Sequence, residues 1–205
     1  MNTTALQRLG LSLAAAAALL TACVDEAPVG PTRAAIPTPL AASPSAAKAG
    51  GAPAAGNDNR APDLGACQNL QAPAGSKVAY HVYATGVQIY HWTGTSWAFD
   101  GPSAVLSADA GGRSTVGTHY AGPTWESVSG GTVVGTVQQR CTPNPNAIAW
   151  LLLSAVSDGP GVFHRVAYIQ RVNTVGGNAP SSPGSFVGAE ARVPYTTEYF
   201  FYRAA

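Results

Sequence analysis

Apolar and polar residues alternate with a period of two through most of the chain beyond residue 76, the spacing of strands that bury one face. Lys77–Thr85 (KVAYHVYAT) and Val87–Trp92 (VQIYHW) flank Gly86 and are rich in β-branched and aromatic residues, which suit a pleated surface. Ser96–Phe99, Ala104–Leu106, Thr132–Gln139 and Val162–Val172 continue the pattern. In the last segment, Val193–Arg203, residues Val193, Tyr195, Thr197, Tyr199 and Phe201 share one face. Ala147–Val156 (AIAWLLLSAV) is apolar without alternation. Its short length and its turn-forming flanks predict a central strand covered on both faces rather than a helix. Turn signals separate the segments at Gly94, Gly101-Pro102, Gly111-Gly112, Gly130-Gly131, Asp158–Gly161 and Gly176-Gly177. Eight or nine strands at this spacing predict an all-β fold, a single compact antiparallel β-sandwich or closed barrel over residues 64–205.

The pattern stops short of the N-terminus. Every Trp, Tyr and Phe lies beyond residue 79, and the first sixty or so residues are mostly Ala, Pro, Ser, Thr and Gly. Leu9–Leu20 (LGLSLAAAAALL) has the length of a signal-peptide core and is too short to span a bilayer. It ends in Leu20-Thr21-Ala22-Cys23, which resembles a bacterial lipobox. Residues 1–22 are therefore expected to be a lipoprotein signal peptide, with Cys23 as the lipidated residue and membrane anchor. One acyl chain holds a protein marginally and two hold it stably. Residues 23–63, with a proline every few positions, cannot bury enough apolar surface to offset ordering and are expected to form a disordered tether. The implied location is the cell envelope. Val24 rather than Asp after the cysteine favours the outer membrane by resemblance to the sorting rule of enteric bacteria.

Charge adds an exclusion. The net charge is +1, charged residues are 10% of the chain, and Lys77 is the only lysine after Lys48. The arginines form no run, so the basic face that a nucleic-acid partner needs is missing. Of the three cysteines, Cys67 and Cys141 remain after Cys23. Their spacing fits no zinc site, and in an exported domain a Cys67–Cys141 disulfide is expected. No dinucleotide, phosphate-loop, nucleophile-elbow or zinc-protease motif occurs, so neither a cofactor nor a metal is expected.

Two short stretches could carry chemistry. His119-Tyr120-Ala121-Gly122-Pro123-Thr124-Trp125-Glu126 places an imidazole, a phenol, an indole and a carboxylate around a Gly-Pro turn. Tyr120 and Trp125 could stack on a small ligand, and His119 with Glu126 could form an acid/base pair or hold a metal. The same aromatics equally suit a core, with Glu126 paired to a local arginine. Gln170-Arg171 offers planar donors for a carboxylate of a ligand or of the protein, Glu126 or Glu190. The expectation is a shaped loop over 119–126 at one end of the domain, with Arg171 as the charge partner of Glu126. His81, His91 and His164 lie on strand-like segments and read as half-buried or surface residues. Of two function classes, a non-catalytic module binding a small ligand or an envelope partner is favoured over a hydrolase-like or metal-assisted enzyme, because no nucleophile is specified.

Five segments together resemble the family called domain of unknown function 3455: ATGVQIYHW (84–92), VGTHYAGPTWES (116–127), AIAWLLLSA (147–155), AYIQRVNTVGGNAP (167–180) and VPYTTEYFFY (193–202). The resemblance spans essentially the whole strand-rich region. It implies a compact, β-rich, mostly exported domain and no particular activity. Many bacterial members carry cysteines at the positions of Trp92 and near Ser185, so the resemblance implies that this chain places its bridge elsewhere.

Overall fold

The computed structural model describes residues 60–205. The expected signal peptide, the lipidation site Cys23 and nearly all of the expected tether lie outside them. Eight strands run in chain order: β1 Lys77–Trp92, β2 Trp97–Ser107, β3 Thr115–Tyr120, β4 Thr124–Ser127, β5 Thr132–Cys141, β6 Trp150–Asp158, β7 Val166–Gly176 and β8 Glu190–Arg203. Each pairs antiparallel with the next, and β8 returns to β1 to close the barrel. Of the two expected architectures, the closed barrel is the one formed, and closure gives every strand a paired neighbour on both sides over part of its length.

The long closing pair explains a difference from the sequence reading. Gly86 does not separate two strands. It lies mid-way along β1, paired to Ala104 on one side and Tyr195 on the other. A Cβ there would lie 2.2 Å from the Ser103 carbonyl oxygen, so the glycine permits the close approach of β2. Gly101-Pro102 is likewise inside β2, where the register against β1 slips between Ile89 and Tyr90. Such a bulge bends the strand without ending it.

Alternation then sorts side chains into two cores. Val82, Ala84, Leu106, Trp125, Val133, Leu153, Ile169, Tyr199 and Phe201 fill the barrel. One end is stoppered by Phe163, from the segment between β6 and β7. Its ring centroid lies 4.7 Å from Phe201 and 6.1 Å from Tyr80. The second core is outside. Leu64, Cys67 and Leu70 pack onto Val78, Leu152, Val172, Phe200 and Tyr202, covering the outer surface of β1, β6, β7 and β8. Leu151 and Leu153 face inward while Leu152 faces this cover, which is why β6 reads as apolar without alternation. The cover is fastened by the Cys67–Cys141 disulfide, with a Cα–Cα distance of 5.7 Å. Gln170 reinforces it: its Nε2 donates to the Leu70 carbonyl at 2.6 Å, and its Oε1 accepts from the Tyr202 hydroxyl. At the position where relatives are expected to carry a cysteine, Trp92 instead packs against Gly184, whose Cβ would fall 2.5 Å from the tryptophan Cβ.

Candidate functional site

The end opposite Phe163 is not filled. Pro123 from the turn between β3 and β4, Ile148 and Ala149 before β6, and Asn178 after β7 edge a cavity of about 440 Å³ that enters the barrel. That is within the usual range for small-molecule sites, about 300–1,000 Å³. Its walls are mainly apolar: Tyr90, Phe99, Val137, Ile148, Leu151 and Leu153. Its rim is tied together by hydrogen bonds. Tyr90 Oη donates to the Gly177 carbonyl at 2.7 Å, Asn178 Nδ2 donates to the Pro145 carbonyl at 2.9 Å, and Thr174 Oγ1 donates to the Ile148 carbonyl at 2.6 Å.

The floor is an aromatic stack. His119 and Trp125 face each other across β3 and β4 as directly paired residues. Their rings are parallel within 10° at 4.2 Å, and Tyr199 meets both edge-on at 5.2 Å. Gly135 makes room for the indole, since a Cβ there would lie 3.0 Å from Trp125 Cζ3 and 2.8 Å from Leu153 Cδ2. His119 Nδ1 lies 2.8 Å from the Thr124 carbonyl oxygen, which only accepts, so Nδ1 carries the proton and Nε2 is an acceptor. Burial holds the imidazole pKa down at about 3, helped by the Arg171 cation and opposed by the Thr124 contact. The ring is neutral at physiological pH.

Arg171 enters the same cavity from β7. Its Nε and Nη2 both donate to the Ala149 carbonyl, at 3.1 and 2.7 Å. No carboxylate lines the cavity. Burial pushes the phenols of Tyr90, Tyr195 and Tyr199 above their ordinary range, and the Arg171 charge opposes it in each case. The phenols stay protonated and supply no counter-charge. Four buried polar atoms gather here without a well-formed hydrogen bond: Gln88 Nε2, Trp125 Nε1, Tyr195 Oη and Tyr199 Oη. Tyr195 Oη still sits against the Tyr199 hydroxyl and Gln88, and Tyr199 Oη against Arg171, so the clearest orphan is Trp125 Nε1. Gln88, Trp125 and Tyr199 line the cavity directly. Orphaned buried donors are rare and call for an explanation.

The 119–126 stretch is a tight hairpin rather than one assembled site. Period-two alternation turns His119 and Trp125 inward, leaving Tyr120 and Glu126 on the outer surface. There the Tyr120 hydroxyl donates to Glu126 Oε2 at 3.0 Å. The expected Glu126–Arg171 pair does not form, because the barrel wall separates outward Glu126 from inward Arg171. Glu190 is not its partner either; that carboxylate lies 3.3 Å from Arg192. The same geometry separates His119 from Glu126, so the acid/base or metal pair considered for an enzyme is not assembled. Gln170 faces the outer core and is no part of the cavity. Among the described residues, no group of three or more His, Cys, Asp or Glu could hold a metal ion. His119, Trp125 and Arg171 are thus brought together, and Tyr120, Glu126 and Gln170 are not. Gln88, Tyr90 and Tyr199 join the site without having been expected there. Their signal was alternation: Gln88 and Tyr90 share a face of β1, and Tyr199 lies on the aromatic face of β8.

A family model described as "Protein of unknown function (DUF3455)" matches residues 73–203. The chain belongs to this family. The match runs from just before β1 to the end of β8 and takes in every residue of the cavity, with Cys67 and the outer cover falling before it. No curated protein and no solved structure matches the chain.

Proposed function

We propose that this member of the DUF3455 family is an exported, lipid-anchored envelope protein whose barrel binds a small ligand in the cavity above Trp125. The observation that carries the reading is the cluster of buried polar atoms without well-formed hydrogen bonds, Trp125 Nε1 foremost, on the floor of an otherwise apolar cavity. An apolar chamber with a few converging polar groups is the usual form of a ligand site. A core without a ligand role would be expected to satisfy or replace such groups, since each costs about 1–3 kcal/mol when buried unpaired. The export part rests on the Cys23 lipobox and the Leu9–Leu20 apolar run. The disulfide is compatible with an oxidising compartment. In this reading residues 23–63 hold the barrel away from the membrane surface, and the outer membrane is the favoured site in a Gram-negative cell.

The test uses a neutral fluorescent probe, N-phenyl-1-naphthylamine, titrated into the purified full chain. Fluorescence should rise saturably, and Ala149→Trp, which adds bulk at the mouth, should abolish the rise without lowering the melting temperature. Equal probe binding by that variant would refute the cavity as the binding site.

A further inference from the structure

We propose that the ligand is a monovalent organic anion, a carboxylate- or sulfonate-bearing molecule with an apolar or aromatic body, whose acid group is held by Arg171 and Gln88. The inference rests on the reading of the cavity as a ligand site and adds the chemical class. It stands on an imbalance of donors and acceptors. Arg171 spends two of its five N–H groups on a single carbonyl oxygen, that of Ala149, and its other polar neighbour is the neutral Tyr199 hydroxyl. Among the described residues its guanidinium takes part in no salt bridge. Trp125 Nε1 is a donor without an acceptor, Gln88 Nε2 has only a poorly formed contact with the Tyr195 hydroxyl, and both side chains are at most 2% exposed. The site is therefore rich in N–H groups and carries a positive charge, with no fixed anion to answer it.

A half-buried cation without a counter-charge is costly unless something else supplies one. A planar carboxylate or a sulfonate matches the guanidinium fork, and such charge-assisted bonds are the stronger kind. The number of charges follows from the cavity: Arg171 is the one half-buried cation, and Arg140, which also contributes to the lining, is exposed. A multiply charged phosphate ester would find too few partners. The rest of the ligand is set by the walls. Tyr90, Ile148, Leu151 and Leu153 favour an apolar body, and the Trp125 indole offers a stacking surface.

Two probes with the same aromatic skeleton separate the claims. The neutral amine N-phenyl-1-naphthylamine and its sulfonated counterpart, 8-anilinonaphthalene-1-sulfonate, are titrated into the full chain, with near-ultraviolet circular dichroism confirming native packing in each variant. The sulfonate should bind on the order of tenfold more tightly or better, the usual contribution of a charged hydrogen bond. Arg171→Met should remove that advantage by weakening the sulfonate far more than the neutral probe. Should Arg171→Met fail to fold, Arg171→Lys must keep the neutral probe and lose part of the advantage, and added salt must narrow the gap in the parent protein. Equal affinities in the parent, or an advantage that survives both variants, would overturn the anion assignment while the cavity reading stands. If neither probe binds, or Ala149→Trp binds both normally, the cavity reading itself fails.

Discussion

Removing the Cys67–Cys141 bridge should cost this barrel much of its stability. The two cysteines are 74 residues apart, and the loop they close spans β1 to β5, so cutting it frees more than half the barrel's strands in the unfolded chain. The chain-entropy relation for a loop of that size gives about 15 cal/mol/K, or about 4.5 kcal/mol at 25 °C. For a domain of roughly 140 residues the unfolding entropy is about 0.3 kcal/mol/K, so the melting temperature should drop by about 15 °C. The bridge also pins Leu64, Cys67 and Leu70 over Leu152, Val172 and Phe200, so its loss should expose that outer core first. The assay is thermal and urea unfolding of Cys67→Ser/Cys141→Ser beside the parent, with and without reductant. Reductant should destabilise the parent to the level of the double variant and leave the variant unchanged. A drop of less than about 3 °C would refute the reasoning, because the cover would then be held by Leu70 packing and the Gln170 hydrogen bond alone.

Two further outcomes follow from the same geometry and a third from the sequence. His119 should make stability depend on acid: between pH 6.5 and about 3 the unfolded chain binds a proton that the native imidazole refuses, so stability falls as pH falls through that window. The loss should be about 2 kcal/mol at pH 5, and His119→Gln should flatten the urea-midpoint profile; an unchanged slope would contradict the buried neutral ring. Gly135→Ala should cost about 1–3 kcal/mol, because its methyl would press on Trp125 and Leu153, and a neutral result in urea unfolding would show that the indole has room to move. Cys23→Ser should move the protein from the membrane fraction to the soluble fraction of cells, and retention on membranes would mean another anchor exists.

Period-two alternation made most of the strands legible, and the aromatic face of β8 is the clearest case, with Tyr195, Tyr199 and Phe201 all inside. It also contained the fact that undid the expected Glu126–Arg171 pair. Neighbouring residues on a strand face opposite ways, so an inward Trp125 requires an outward Glu126. What alternation cannot supply is which face is inside, and this depends on barrel closure by the β1–β8 pairing. Gln88 reads along the chain as an ordinary strand glutamine; only closure buries it beside Arg171 and Tyr199. Gly86 differs for a related reason: glycine signals a break in the local sequence, whereas here it serves the close approach of β1 and β2.

An anion that enters the barrel would meet the Arg171 guanidinium and the unpartnered Trp125 N–H on its floor. The direct measurement follows the side-chain N–H signals of the four tryptophans and of Arg171 in a ¹H–¹⁵N correlation spectrum as 8-anilinonaphthalene-1-sulfonate is added. Trp125 Nε1 is buried without a partner, whereas Trp97 Nε1 already donates to the Ser182 carbonyl at 2.9 Å and Trp150 packs in the outer core. Saturable shifts of the Trp125 and Arg171 Nε signals are expected, with Trp150 unmoved. Shifts confined to Trp150, Trp92 or Trp97 would place the probe on the outer surface or the rim and contradict it.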